Sequence, residues 1–339
     1  MNASPLTRRS FLRNAAALAA LTAVRPGSLF AETPKATSES IVKSLFDTLT
    51  AAQKKQMCFP WDYVDPVRGL LRTRIENNWR ITKPSINTPF YTADQQAMIR
   101  AIFEGITSPE WHARFDKQLK DDVGGFGNRQ SIAIFGEPGT GAFEFVLTSR
   151  HMTLRCDGDS TGHMAFGGPI LYAHEGEALR EKPGHPNNVF WHQAIEANKL
   201  FHVLDARHQA LALVEKGMPD EELVGFKGRD GKFQGCPVAQ FAADQKGELQ
   251  RILKTLLEPF RKSDRDEAMK CLDAQGGLDH CHLAFYKEGD LGNDGIYDNW
   301  RIEGPSFVWY FRGRPHVHVW VNIADDASPK LNSFQDSIM

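Results

Sequence analysis

The sequence predicts an α+β protein with an antiparallel or mixed β-sheet core that carries histidines and is flanked by several long helices. Three observations lead there. The N-terminal third keeps helical spacing, the pattern turns to period two from Ser131, and later helical and strand-like runs alternate without the strict βα order of a doubly wound sheet. The chain has 339 residues, is 41% hydrophobic and 24% charged, and has a formal net charge of -2, an ordinary globular composition with length for one large or two modest domains. Its basic residues are spread evenly, and this argues against a nucleic-acid partner.

Taken in order, residues 1–31 read as a twin-arginine signal peptide. Arg8-Arg9-Ser10-Phe11-Leu12 precedes the small apolar run Ala15 to Val24, and Ala31 suits the residue before cleavage. That run is too short to span a bilayer, and no later stretch reaches the ~18 apolar residues that a spanning helix needs. The expectation is a protein handed to the twin-arginine export machinery, free of membrane spans once mature, and located in the periplasm or secreted. Residues 32–339 are expected to form a single α+β domain, with no internal repeat apparent.

Ser38 to Ala52 is amphipathic, with Ile41, Leu45, Phe46 and Leu49 on one face, and Thr92-Ala-Asp-Gln95 opens a capping-box helix running to about Thr107. Between them Phe59-Pro-Trp61-Asp-Tyr63 reads as a core-packing loop. "SIAIFG", the turn Pro138 to Gly141 and "AFEFVLTSRHMTL" form a hairpin followed by a long strand. Asn188 to Glu215 and Ala239 to about Leu272 return to helical spacing around the Gly-rich loop "GFKGRDGKFQGCP". "HCHLAFYKE" and Ser306 to Ile323 are strands.

Most short motifs lead nowhere. Gly136-Glu-Pro-Gly-Thr-Gly141 imitates the start of a phosphate-binding loop, but Ala142 and Phe143 stand where Lys and Ser/Thr are required. The five cysteines include no CxxC pair, so neither a zinc ribbon nor a disulfide framework is indicated. No HExxH or GxSxG signature occurs. His163 and His174 flank a Gly-rich stretch, as turn residues in preference to loop ligands, and His192, His202 and His208 lack ligand spacing along their helices.

The remaining histidines have a shared construction. In "PHVHVWVNI" the residues Val317, Val319 and Val321 form one face and His316, His318 and Trp320 the other. "LDHCHLAF" sets His280 and His282 against Cys281, Leu283 and Phe285. "RHMTL" sets His151 against Met152 and Leu154. Five of twelve histidines thus face away from an apolar strand face, and if those strands are neighbours they form a metal-binding cluster. An all-imidazole set suits copper or zinc. Glu303, the carboxylate nearest the final pair in sequence, is a candidate second partner or general base.

"IAIFGEPGTGAFEFVLTSRHMTL", "GGPILYAHEGE" and "YDNWRIEGPSFVWYFRGRPHVHVW" resemble, in order, the blocks of an exported bacterial family catalogued as domain of unknown function 3500. The resemblance spans roughly Phe46 to Ile323. It implies a site at His151, His316 and His318, and it implies no activity. Where that family tends to have Gly-His-His this chain has Ser149-Arg150-His151, and Pro315 stands where the family has Asn.

Two functions follow. One is an exported copper or zinc enzyme, an oxidoreductase in preference to a hydrolase, acting on a small molecule or glycan. The other is a non-catalytic periplasmic protein that grips a glycan or peptide with aromatic residues such as Trp61, Trp300, Trp309 and Trp320.

Overall fold

In a computed structural model, residues 37–158, 160–161, 163–175, 185, 187–220, 224–292 and 294–333 are described. The signal segment expected at 1–31 lies outside them. The first amphipathic run splits in two. Helix α1 spans Ser38–Thr48, and α2 spans Ala51–Met57. The break falls at Thr50, whose hydroxyl accepts from the Gln53 backbone N–H (3.2 Å) while its own N–H donates to Gln53 Oε1 (2.9 Å). A new cap inside a continuous apolar stripe starts a new helix. Helix α3 (Ala93–Ile106) opens on the capping box expected at Thr92 and Gln95, and buries Ile99, Ile102, Phe103 and Ile106. Helix α4 (His112–Val123) stops where Gly124 turns left-handed at φ 80°.

The second helical stretch also divides. Helices α5 (His192–Val203) and α6 (Ala206–Ala212) are separated by an Asp205 N-cap. Helices α7 (Ala243–Leu257) and α8 (Lys262–Ala274) are separated by a bend through Pro259.

Eleven strands make one sheet: β1 (Cys58–Phe59), β2 (Ser131–Gly136), β3 (Phe143–Ser149), β4 (Met152–Cys156), β5 (Ile170–His174), β6 (Leu213–Val214), β7 (Cys236–Pro237), β8 (His282–Tyr286), β9 (Asn299–Gly304), β10 (Phe307–Arg312) and β11 (Val317–Ile323). Their order is β1-β2-β3-β4-β5-β11-β10-β9-β8-β7, with β6 alongside β8. All pairings are antiparallel except β1 with β2 and β6 with β8. The fold class is therefore α+β, as the periodicities indicate. Strands β5 and β9 are not among the expected strands. β5 is apolar up to its final His174 and lacks the alternation of a half-exposed strand, whereas β9 does alternate, with Trp300 and Ile302 against Arg301 and Glu303.

The order of elements occurs twice. Two helices and a short strand, two more helices, then a four-stranded meander appear as α1-α2-β1-α3-α4-β2-β3-β4-β5 and again as α5-α6-β6-α7-α8-β8-β9-β10-β11, with β7 added in the second half and three two-residue strands, Val64–Asp65, Gly69–Leu70 and Arg74–Ile75, added in the first. In each half the short strand runs parallel to the first strand of its meander, and the halves join where β5 and β11 pair antiparallel. The recurrence is one of elements, not of sequence, in which it is visible at only a few points. Thr92-Ala-Asp-Gln95 reappears as Ala242-Ala-Asp-Gln245, which keeps only the Gln245 half of the box. Gly124-Gly125 reappears as Gly276-Gly277, all four with positive φ.

One face of the sheet packs on the helices in the main core, which includes Ile132, Phe145, Leu147, Tyr172, Trp309, Phe311 and Val319. Irregular segments cover the other face. Leu71, Trp79 and Ile81 pack on Phe135 and Val146, while Ile75 and Val224 pack with Tyr310 and Trp320. The expected loop at Phe59 to Tyr63 does pack on the core, with Phe59 stacked on Tyr63 and Phe135. The Gly136–Gly141 stretch is the β2–β3 hairpin turn, closed by Glu137 N–H to Ala142 O at 3.3 Å.

Candidate metal centre

The site forms where the β3–β4 turn, the end of β5, the start of β11 and the C-terminal end of α4 meet. His151 occupies the turn, not a strand, at φ 65°, a region that non-glycine residues seldom enter. Its backbone is fully used. The N–H donates to Asn77 O (2.7 Å) and the carbonyl accepts from Ala173 N–H across to β5 (3.0 Å). His316 precedes β11, just after a cis Arg314–Pro315 peptide, and His318 lies within that strand, paired with Ala173.

Three imidazoles converge. His316 Nε2 lies 3.2 Å from His151 Nε2 and 2.8 Å from His318 Nε2. Two nitrogens ~2.0–2.1 Å from one ion are roughly 3 Å apart, so this is the spacing of ligands sharing a centre. Carboxylates stand behind two of the rings. His151 Nδ1 is 3.0 Å from Asp122 Oδ2, and His316 Nδ1 is 3.8 Å from Glu175 Oε1. Neither contact is a hydrogen bond, His151 Nδ1 having no hydrogen-bond partner among the described residues, but both put negative charge on the Nδ1 side of rings whose Nε2 atoms converge.

Asp122 is itself held in place. Its Oδ2 accepts from Gln118 Nε2 (2.8 Å) and its Oδ1 from the Glu175 N–H (3.1 Å). Glu175 is also paired with Arg150. Behind them, His174 accepts at Nδ1 from Val189 N–H (3.0 Å), so its Nε2 carries the proton donated to Asp121 Oδ2 (2.9 Å). Burial, reinforced by the neighbouring His318 and His151, drives the His316 pKa down to about 3, and this outweighs the pull of Asp122. His316 is thus neutral at physiological pH, the form that coordinates metal. Its side chain is 15% exposed against 4% for that of His151, so the cluster opens to solvent on the His316 side.

Of the histidines singled out from sequence, His151, His316 and His318 come together, and His280 and His282 do not. His282 lies on β8, three strands from β11, or roughly 14 Å at ~4.8 Å per strand. Its ladder row runs through Glu303, Val308 and Asn322, four residues along β11 from His318. There it stacks on Phe233, while His280 is exposed in a 3₁₀ turn. The strand pattern was the same, but the pattern does not specify which strands are neighbours. Glu303 shares the row of His282 and is held by Arg301 (2.5 Å) and Lys227 (2.9 Å), so the carboxylates beside the histidines are Asp122 and Glu175 instead.

The sequence does carry a signal for Asp122. Two acids at a helix C-terminus, in Asp121-Asp122-Val123-Gly124, oppose the helix dipole and call for another reason to be there. The tryptophans suggested for ligand stacking are otherwise employed. Trp300, Trp309 and Trp320 are core residues, and Trp61 lies under Arg72.

Among the described residues, the corresponding end of the other half lacks the cluster. Ala324 N–H bonds Ser306 O at 2.8 Å just as Ala173 N–H bonds His151 O, so Ser306 stands in the place of His151. Ala324 faces Met164 where Ala173 faces His318. That end instead has an exposed His163–Asp325 pair (2.6 Å).

Fold and site together define a class: an α+β protein of two fused helix-and-meander halves, with histidines gathered at one end of the seam between them. The chain belongs to the family described as Protein of unknown function (DUF3500), which matches residues 31–323. No curated protein and no solved structure matches it.

Proposed function

We propose that this protein is an exported metalloenzyme that binds one copper or zinc ion through the Nε2 atoms of His151, His316 and His318. The observation that carries this reading is the approach of three imidazole nitrogens, two of them backed by carboxylates, in a setting where burial keeps His316 neutral. Imidazole donors favour copper and zinc. Three protein ligands leave a position open for water or substrate. In such a site zinc brings the pKa of bound water to ~7, and copper supplies one-electron chemistry with oxygen or peroxide. Asp122 and Glu175 place negative charge beside His151 and His316. The twin-arginine segment supports export in the folded state. Insertion of a redox metal before export is the reason to favour an oxidoreductase.

The test is metal retention. Full-length mature protein, loaded with copper or zinc and dialysed, is expected to keep one ion per chain by mass spectrometric metal analysis. H316A/H318A should keep none, while E303Q should retain the wild-type amount. At a hundredfold excess of metal over Kd, stability should rise by about 2.7 kcal/mol. A wild-type protein that retains no ion, or a double variant that retains as much, overturns the reading.

A further inference from the structure

Next to Arg150, the chain neighbour of His151, lies a cavity of about 490 Å³ whose lining also includes Arg80 and Arg129. No carboxylate lines it among the described residues. Arg80 is oriented by its own loop, donating to Lys83 O (3.2 Å) and Ser85 Oγ (3.4 Å), and neither it nor Arg129 makes an ion pair among the described residues. The amides of Asn78 and Asn128 add neutral hydrogen-bonding groups to the same wall.

This wall is joined to the metal centre. Asn78 forms a β-bridge with Arg150, and the preceding carbonyl, Asn77 O, accepts from the N–H of His151. Trp79 is fixed by its indole N–H to buried Thr153 Oγ1 at 3.0 Å. Arg150 reaches from the cavity to Glu175, which in turn faces His316. A second cavity of about 570 Å³ shares Arg80, but it lacks Arg150, the chain neighbour of His151, and no other residue adjoining the histidines lines it.

We propose that the 490 Å³ cavity binds a small organic anion through a carboxylate or phosphate group and holds it beside the histidines as substrate. The substrate role rests on the metal reading above, whereas anion binding itself does not. Guanidinium groups match planar and tetrahedral oxyanions by paired hydrogen bonds. Arg150 is neutralised by Glu175, but Arg80 and Arg129 bring two like charges, unpaired among the described residues, to one concavity, and an anion relieves their repulsion. The volume is in the range of small-molecule sites.

Three sugars of one scaffold serve as probes: glucuronate, glucose 6-phosphate and uncharged glucose, titrated calorimetrically into zinc-loaded protein with metal content measured in parallel. One or both charged sugars should bind saturably and glucose should not. Binding should weaken as salt is raised, because exposed charges are screened. R80Q/R129Q, changed at exposed positions and so expected to fold, should lose affinity about tenfold while keeping one metal per chain. Which charged sugar binds identifies the anionic group. Equal binding of glucose, no saturable binding of either charged sugar, or unchanged affinity in R80Q/R129Q overturns the anion site. Charged-sugar binding by protein that holds no metal overturns the substrate role and leaves the cleft.

Discussion

At the scale of single residues, His151 combines two demands that seldom coincide. The β3–β4 turn needs a left-handed residue, and the site needs an imidazole there. A side chain in that region costs about 1–2 kcal/mol, which glycine escapes. Both H151G and H151A should therefore lose the metal, yet metal-free H151G should be about 1 kcal/mol more stable than H151A in urea denaturation. Equal stability of the two would remove the case for strain at this turn. The alternation of His316 and His318 against Val317 and Val319 was plain in the sequence, since strand geometry alone sets it. The same alternation at His280 and His282 misled, because residue pattern says nothing of distance between strands.

At the scale of elements, β3 and β4 are joined by more than their ladder. Glu144 and Arg155 are both buried and meet at 2.6 Å. Arg72 joins Glu144 at 3.1 Å, and Arg155 also bonds Pro169 O at 2.6 Å and Arg74 O at 2.8 Å. The pair thereby pins the segment that covers the second sheet face. Burial raises the pKa of Glu144 and lowers that of Arg155, each opposed by its partner's charge. Removing one partner leaves the other buried and under-compensated, so R155M should cost about 3–5 kcal/mol. E144L/R155M should recover much of that loss in the same denaturation experiment. A double variant as unstable as R155M would show that the backbone contacts of Arg155 matter more than the charge pair. Helix starts with a side-chain cap were legible, as at Thr92. Breaks inside a continuous apolar stripe, at Thr50 and Asp205, needed the cap to be weighed above the periodicity.

At the scale of the whole molecule, the two halves share one sheet through β5 and β11, and the helical core is continuous across that seam. The halves should therefore unfold together. Urea transitions followed by tryptophan fluorescence, with Trp79 and Trp111 in the first half and Trp300, Trp309 and Trp320 in the second, should coincide with far-UV circular dichroism. Separate transitions would mean the halves are energetically independent. The sequence by itself determined the α+β class, the principal strands and the faces that His316 and His318 occupy, because these follow from local geometry repeated every two or 3.6 residues. Only the tertiary structure decided that β5 and β11 are neighbours, that Asp122 and Glu175 stand behind the histidines, and that His282 and Glu303 lie elsewhere. Those are facts of strand order and chain reversal between residues as far apart as 151 and 316, and no local pattern carries them.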